Sequence, residues 1–305
     1  MAIPNTYIIG IQKAGTTTLH DWMAQHPEVY GPSEYKDFGF FIRFEQSELI
    51  EQLNKAFPNP ANKPIVLHSH VNYIFNPAIL KEIAEKAPDA KLIVSLRNPV
   101  DRCFSAYLYF KKMRRENRSP KDALIYKPEI IEKFTKDDYD LRYIEQGFYA
   151  AQLENCLKYF KKDQILLIDF NKIGSEPEAT MIKVFDFLGI DPGVKLDLQQ
   201  KNATGSGVKS NLIQDLIIKP GKLKKILIAV FLDWWFPFEK RRELKQKLIE
   251  KNTQQKISNK SNSEEIEPNE KLEIKNYLKE IFREDVQKLD EEWGTNYIDL
   301  WGFNQ

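Results

Sequence analysis

The stretch TYIIGIQKAGTTTLHDW, residues 6–22, decides the predicted fold of this chain. Its first four residues are β-branched or aromatic, which is typical of a short buried strand. A loop containing Gly10, Lys13 and Gly15 follows, and three threonines then begin a helical pattern. At such a junction, backbone N–H groups without helical partners meet the positive end of the helix dipole. The stretch therefore predicts a cradle for an anion such as phosphate, against the alternative of a turn that holds no ligand.

The position of the lysine in this loop sets it apart from the loop of ATP-dependent kinases. Gly10 and Gly15 keep the spacing of the phosphate-binding pattern G-x-x-x-x-G-K-[ST], but Thr16 occupies the place of its lysine. In kinases that lysine binds the β- and γ-phosphates, while a hydroxyl binds Mg²⁺. Lys13 lies inside the loop, and Thr16, Thr17 and Thr18 follow it. This arrangement suits a phosphate that carries a less charged transferable group and needs no metal.

The composition sets wide bounds and favours no nucleic-acid partner. The 305 residues contain 45 Lys and Arg against 44 Asp and Glu, so no overall field attracts nucleic acid. Cys103 and Cys156 lack the spacing of a metal site, so we expect reduced thiols, with neither a disulfide nor zinc. A basic and apolar leader does not precede the first strand, so we expect a cytoplasmic protein.

Strand patterns alternate with helical patterns along the first two thirds of the chain. Predicted strands lie at 6–9, within 26–30, and at 65–70, 91–96 and 164–170, and predicted helices at 46–57, 77–86, 144–160, 176–188 and 270–293. This alternation predicts an α/β fold, a P-loop-like three-layer sandwich with a central parallel sheet of about five strands and helices on both faces. We expect one domain over residues 1–305, with an α/β core at 1–200 and a mainly helical C-terminal region at 201–305.

Polar residues follow two of the predicted strands, where ligands gather in parallel sheets. Glu34, Lys36 and Asp37 come after the second strand, and a carboxylate there can take a proton from an acceptor hydroxyl. The alternative is that these are solvated loop charges. His68 and His70, at the end of the third strand, are secondary candidates for lining the acceptor site. Two histidines are too few for a metal site.

A second anion grip is predicted at the end of the fourth strand. Arg97 ends that strand, and Ser105 lies about two turns into the next helix. An arginine is a fixed, always-charged fork that suits a phosphate. The alternatives are a structural ion pair for Arg97 and a packing position for Ser105.

Three further segments bear on the acceptor. The basic run at 111–118 is predicted to continue the helix after Arg97 and either attracts an anionic acceptor or forms a solvated face. Residues 118–142 predict short helices over the site. The apolar segment 226–238 is too short to span a bilayer. It is a core helix, the wall of an apolar acceptor pocket, or a membrane-surface patch with basic anchors.

Several of these segments resemble the sulfotransferases that use 3′-phosphoadenosine 5′-phosphosulfate (PAPS), especially the bacterial and Golgi carbohydrate type. IIGIQKAGTTTL is similar to the family's 5′-phosphosulfate loop, and LIVSLRNPVDRCFSAY to its 3′-phosphate motif. KDFGFF resembles the segment K-E-x-H-F-F, whose acidic residue is the catalytic base. QGFYAAQL, ILLIDF and FLGI follow the family's order of helix, strand and helix.

The resemblance implies a role for each matching residue. Lys13 would contact the bridging oxygen and the sulfuryl group, and Arg97 and Ser105 would hold the 3′-phosphate. Asp37 would be the base, with Glu34 or His70 as the other candidates. The 5′-phosphate would be held by the loop and helix start, Ala14, Gly15, Thr16, Thr17 and Thr18, and Tyr149 would approach the nucleotide.

The chain departs from the family pattern near the base, and other functions stay open. Asp37 replaces the usual Glu, and Gly39 stands where many relatives carry His. The segment HVNY, residues 70–73, replaces a more usual Ser-Pro-x-Tyr and so places His70 and Asn72 near the site. The implied reaction is in-line sulfuryl transfer, without a metal, to a hydroxyl of a carbohydrate, glycolipid or small metabolite. The alternatives are a kinase-like phosphotransferase using Mg²⁺–ATP, or a non-catalytic nucleotide-binding module that contacts the membrane surface through 226–238.

Overall fold

The computed structural model describes residues 3–59, 61–125, 136–199, 207–208, 253–254 and 266–304. The predictions for the apolar segment 226–238 concern residues outside these ranges. No helix within the described ranges is both long enough and apolar enough to cross a membrane.

The centre of the molecule is a parallel sheet of five strands in the order β2-β3-β1-β4-β5. The strands are β1 (Thr6–Gly10), β2 (Val29–Tyr30), β3 (Ile65–Ser69), β4 (Lys91–Leu96) and β5 (Ile165–Asp169). On β1, Tyr7 pairs with His68 of β3 on one side and with Leu92 of β4 on the other. The predicted number of strands and their parallel direction are therefore confirmed. A short antiparallel pair joins Gly207–Val208 to Thr253–Gln254.

Helices cover both faces of the five-stranded sheet. Within the described residues they are α1 (Thr16–Met23), α2 (Phe40–Arg43), α3 (Gln46–Ala56), α4 (Pro77–Lys86), α5 (Pro99–Lys112), α6 (Pro120–Leu124), α7 (Tyr149–Leu157), α8 (Phe170–Ser175), α9 (Pro177–Leu188), α10 (Pro268–Trp293) and α11 (Tyr297–Leu300). Short 3₁₀ helices lie at Ser33–Tyr35, Lys136–Leu141, Glu145–Gly147 and Lys162–Gln164.

Two hydrophobic cores lie on opposite faces of the sheet because side chains alternate along a strand. Tyr7 and Ile9 of β1 join the larger core, which includes residues of α3, α4, α5, α7 and α10. Ile8 points the other way and joins Leu19 and Trp22 of α1, together with residues of α9. The chain thus forms the predicted three-layer sandwich.

The long helix α10 closes the larger core. Ile274, Leu278 and Phe282 recur on one face of this helix and are fully buried, as its amphipathic pattern predicts. The helix packs against α5 and α7. The carboxylate of Asp285 accepts a hydrogen bond of 3.0 Å from the backbone N–H of Ala150. The C-terminal helix therefore caps the first turn of α7 and holds it in place.

Two predicted helices differ from the structure. The helix predicted at 144–160 begins as a 3₁₀ turn, and α7 starts only at Tyr149. Gly147 lies against the ring of Phe282, so the close approach of α10 fixes an irregular backbone there. The prediction that the basic run at 111–118 continues its helix was wrong. α5 ends at Lys112, and Arg114, two residues later, has a left-handed backbone with φ of 57°, which an α-helix cannot contain.

The strand order distributes the candidate residues around the phosphate-binding loop. The loop follows the central strand β1. The segments after β4 and β5 lie on one side of it, and those after β3 and β2 lie on the other. Arg97 and Phe170 therefore stand on one side of Lys13, whereas His70 and Asp37 stand on the opposite side. This order is what gives the site two halves.

Candidate active site

The loop after β1 ends in a residue that only glycine fills without strain. Gly15 has φ of 79°, and a Cβ placed on it would lie 2.9 Å from Cδ1 of Ile173. It precedes α1, whose first turn has no side-chain cap in the described structure. The N–H groups of the first helical turn therefore remain open to an anion, as the sequence predicts.

Three hydrogen bonds tie the rest of this loop to β4 and to Arg97, the residue that follows it. The backbone N–H of Ile11 donates to the carbonyl of Ser95 at 3.1 Å. The hydroxyl of Ser95 donates to the carbonyl of Ala14, and Arg97 Nη1 donates to the carbonyl of Lys13 at 3.0 Å. Lys13 itself has a left-handed backbone, with φ of 68°. A lysine in this conformation is kept there by its surroundings, which is common at ligand-binding loops.

The ammonium group of Lys13 lies in a cationic environment. Its Nζ is 4.1 Å from the centroid of the Tyr109 ring. Burial, together with the charges of Arg97 and Lys112, lowers the pKa of Lys13 to about 8. Positive charges gathered around Lys13 in this way are suited to an anionic ligand.

Arg97 is held from two directions at the end of β4. Its guanidinium carbon is 4.7 Å from the ring centroid of Phe170, which follows β5. The hydroxyl of Tyr149, a fully buried residue, donates to the carbonyl of Arg97 at 2.7 Å. Tyr149, assigned to the nucleotide by the resemblance, thus acts here on the backbone of Arg97. Ser105 is half-buried on α5, the helix that begins two residues after Arg97.

The other half of the site contains the predicted acidic residue. Asp37 has a left-handed backbone with φ of 57°, and its N–H donates to the carbonyl of Ser69 at 2.8 Å. Its carboxylate, 44% exposed, forms an ion pair with Lys36. Glu34 is exposed in the 3₁₀ turn Ser33–Tyr35, and the structure gives it no contact with this pair. The structure therefore brings Lys36 and Asp37 to the site and leaves Glu34 on the outer surface of the turn.

His70 is buried beside Asp37 in its neutral form. Its ring stacks on Tyr73 with centroids 4.4 Å apart, and Nδ1 accepts a hydrogen bond of 3.2 Å from the N–H of Asn72. Burial lowers the pKa of His70 to about 4, although the charges of Asp37 and Asp140 oppose that change. Since Nδ1 is the acceptor, the proton of the neutral ring belongs on Nε2. That atom lies beside Gly39, 3.2 Å from where a Cβ would stand.

His68 has a structural environment instead. It is fully buried, and its Nε2 lies 3.1 Å from the hydroxyl of Tyr73. Burial lowers its pKa well below the usual value. Among the residues that the structure describes, no group of three or more His, Cys, Asp or Glu side chains is arranged to hold a metal ion.

Asp140, which no sequence pattern marks as a functional residue, links three parts of the site. Its carboxylate accepts hydrogen bonds of 2.9 Å from Asn72 Nδ2 and 2.9 Å from Arg115 Nη2, and one of 3.4 Å from Gln12 Nε2. Gln12 belongs to the loop after β1, Asn72 to the segment after β3, and Arg115 to the segment after α5. Asp140 lies in a polar segment without periodicity, so no local pattern distinguishes it from other acidic residues.

Comparisons with known proteins agree with this geometry. The family model for the sulfotransferase domain matches residues 4–293. The bifunctional heparan sulfate N-deacetylase/N-sulfotransferase 4 of Mus musculus is 29% identical over 204 residues, which are 62% of this chain and 23% of that protein. The bifunctional heparan sulfate N-deacetylase/N-sulfotransferase 3 of Homo sapiens is 29% identical over 201 residues, again 62% and 23%. The match thus spans about a quarter of the length of each of these relatives.

A solved structure shows the same relationship at the level of the fold. The sulfotransferase from Alicyclobacillus acidocaldarius has a TM-score of 0.58 and 26% sequence identity, and the alignment covers 75% of this chain and 94% of that one. With the family model matching nearly the whole length, the chain belongs to the sulfotransferase domain family.

Proposed function

We propose that this chain transfers the sulfuryl group of PAPS to a hydroxyl group of a carbohydrate-like acceptor. The observation that carries the proposal is the pairing of two anion grips on adjacent strands. Lys13 and the open N–H groups of α1 follow β1, and Arg97 follows β4 and contacts the same loop through the carbonyl of Lys13. A donor with a 5′-phosphosulfate and a 3′-phosphate matches two such grips, whereas a donor with a single phosphate chain needs only the first.

In the proposed reaction, the acceptor oxygen attacks sulfur in line with the bond to the departing phosphate. A new oxygen–sulfur bond forms, and the sulfur bond to the bridging oxygen breaks. Asp37 takes the proton of the acceptor hydroxyl, and the electron pair of the broken bond stays on the 5′-phosphate. The ammonium of Lys13 and the N–H groups of the first turn of α1 stabilise the charge that develops there, as preorganised donors do.

The neutral tautomer of His70 favours Asp37 over His70 as the base. The lone pair on Nδ1 is used by the N–H of Asn72, and Nε2 bears the proton. This ring donates a hydrogen bond into the site but cannot take a proton at Nε2. Asp37 has an exposed carboxylate beside it. We assign Asp37 as the base and His70 as a hydrogen-bond donor to the acceptor or to the sulfuryl oxygens.

The acceptor class is argued from the relatives. Both mammalian proteins are named for heparan sulfate, a carbohydrate, and for N-sulfotransferase activity. A carbohydrate acceptor is therefore our proposal for this chain, and an amino sugar belongs in the test panel beside hydroxylated sugars, glycolipids and small metabolites. Peripheral membrane contact and a cytoplasmic location stay proposals from the sequence.

Calorimetric titration tests the donor. The protein is titrated with 3′-phosphoadenosine 5′-phosphate (PAP), with AMP and with Mg²⁺–ATP. We expect PAP to bind without a metal and AMP to bind about 10²-fold more weakly, since AMP lacks the phosphate that Arg97 would hold. Equal or tighter binding of Mg²⁺–ATP would contradict the proposal and favour phosphoryl transfer. Family membership already favours sulfuryl transfer over that alternative.

Paired variants test the base. Asp37→Asn keeps the size of the side chain but removes its basicity, so we expect turnover to fall by at least about 10²-fold with PAP affinity retained. His70→Gln keeps a donor, so a smaller loss of about tenfold is expected. Glu34→Gln, on the exposed turn, is the matched control and should leave turnover unchanged. A greater loss for His70→Gln than for Asp37→Asn would reverse the assignment.

A further inference from the structure

The ammonium of Lys13 faces an aromatic ring. Its Nζ lies 4.1 Å from the ring centroid of Tyr109, well inside the distance of about 6 Å at which a cation is attracted to the face of a ring. Within the described ranges, no carboxylate lies at ion-pair distance from this ammonium. The ring is thus the closest attractive contact for the charge of Lys13 in the described structure.

An aromatic contact has a different effect from a carboxylate contact at such a site. A carboxylate would neutralise Lys13 and compete with an incoming anion, whereas a ring face holds the cation and leaves its charge in place. The need for such support is clear from the surroundings. Burial, Arg97 and Lys112 all disfavour the charged form and lower the pKa of Lys13.

The place of Tyr109 on α5 explains why it reaches both halves of the site. It lies one helical turn after Ser105, on the same face of the helix. Its side chain is also within electrostatic reach of Arg115, Asp140 and Asp37. The ring therefore contacts Lys13 on one half of the site and interacts electrostatically with residues of the other half, and 41% of Tyr109 is exposed.

We propose that Tyr109 is a positioning residue that holds the ammonium of Lys13 in the active-site cleft through the face of its ring. The proposal rests on the function proposed above only in giving Lys13 its role at the departing phosphate. Tyr109 lies outside both cofactor motifs, and the orientation of Lys13 depends on it.

A fluorination series separates the electrostatic effect of the ring from its bulk. Tyr109→Phe and its analogues with one, two and three ring fluorines keep the shape of the ring while its negative face weakens in steps. The pKa of Lys13 is read from the pH dependence of its labelling by an amine reagent, with the labelled peptide quantified by mass spectrometry. We expect this pKa to fall stepwise along the series, with a change of about tenfold in the acid dissociation constant of Lys13.

The control is the same series at Tyr107, a buried ring on α5 whose hydroxyl donates to the carbonyl of Arg118. Its fluorination should leave the pKa of Lys13 unchanged. The same pKa for Lys13 throughout the Tyr109 series would overturn the proposal. Because labelling needs neither donor nor acceptor, this result is independent of sulfuryl transfer. Failure of PAP to bind wild-type protein would instead contradict the proposed function alone.

A kinetic comparison adds a readout that a packing role would not produce. Tyr109→Leu removes the ring, and Tyr109→Trp retains an aromatic face. We expect kcat to fall about tenfold in Tyr109→Leu, with a smaller change in KM for the donor, and to recover in Tyr109→Trp. Equal losses in the two variants, with equal thermal stability, would contradict a role for the aromatic face.

Discussion

Replacement of Arg97 is the sharpest test of how the site recognises its donor. Arg97→Gln removes the charged fork that we assign to the 3′-phosphate, together with some or all of the bond to the carbonyl of Lys13. Two charge-assisted hydrogen bonds to a phosphate contribute about 3 kcal/mol or more, which corresponds to about 10²-fold in affinity. The bond to the Lys13 carbonyl is worth about 1 kcal/mol, or about fivefold.

These two contributions affect the nucleotides differently. Loss of the loop bond weakens PAP and AMP alike, whereas loss of the fork weakens PAP alone. In calorimetric titrations, we therefore expect the ratio of the AMP and PAP dissociation constants to fall about 10²-fold in Arg97→Gln, and AMP binding itself to weaken by about fivefold or less. Arg43→Gln is the control, because Arg43 ends α2 on the acceptor side and is exposed. An unchanged ratio in Arg97→Gln would refute the assignment of the 3′-phosphate to this residue.

The remaining predictions concern the loop, its lysine and the buried histidines. Lys13→Ala should lower turnover by at least about 10²-fold in steady-state assays. Turnover of the wild-type protein should fall as pH rises through about 8, where Lys13 loses its proton. Turnover near wild type in the variant, or a flat alkaline pH profile, would contradict this role. Gly15→Ala should lower the free energy of unfolding in urea by about 1–3 kcal/mol, since φ is 79° and the new Cβ would lie 2.9 Å from Cδ1 of Ile173, which would have to move. Unchanged stability would count against this strain. Burial lowers the pKa of His20, a buried residue of α1, and of His70 to about 4, so both are neutral when folded and protonate more readily when unfolded. Stability should therefore be complete above about pH 6.5 and decline as pH falls towards 4, by up to about 3 kcal/mol for each histidine; a midpoint of thermal unfolding that does not change between these pH values would refute the buried neutral state.

Local patterns in the sequence were sufficient for the elements and for the phosphate-binding loop. The strand run from Thr6, the glycine spacing and the threonines predicted a strand, a loop and a helix, and the structure has β1, the loop and α1 there. Arg97 was placed at the end of a strand, where β4 ends at Leu96. These predictions succeed because backbone conformation and side-chain period are set by neighbours along the chain.

Local sequence patterns do not encode the long-range contacts that organise the site. The hydrogen bond between Gln12 and Asp140 joins residues 128 positions apart in the chain. The bond from Tyr149 to the carbonyl of Arg97 joins residues 52 positions apart. The end of α5 at Lys112 was also missed, because the basic residues that follow have no pattern that opposes a helix.

By itself, then, the sequence determined the alternation of strands and helices, and it predicted an anion cradle at residues 10–18 and a second cation, Arg97, at the end of the fourth strand. Only the tertiary structure decided that β3 and β4 flank β1, which separates Arg97 from Asp37 and His70 across the loop. It also decided that Lys13 lies over Tyr109. The physical reason is that strand order and side-chain contacts depend on packing between distant segments, whereas the sequence pattern reports only the local period and the hydrogen-bonding needs of the backbone.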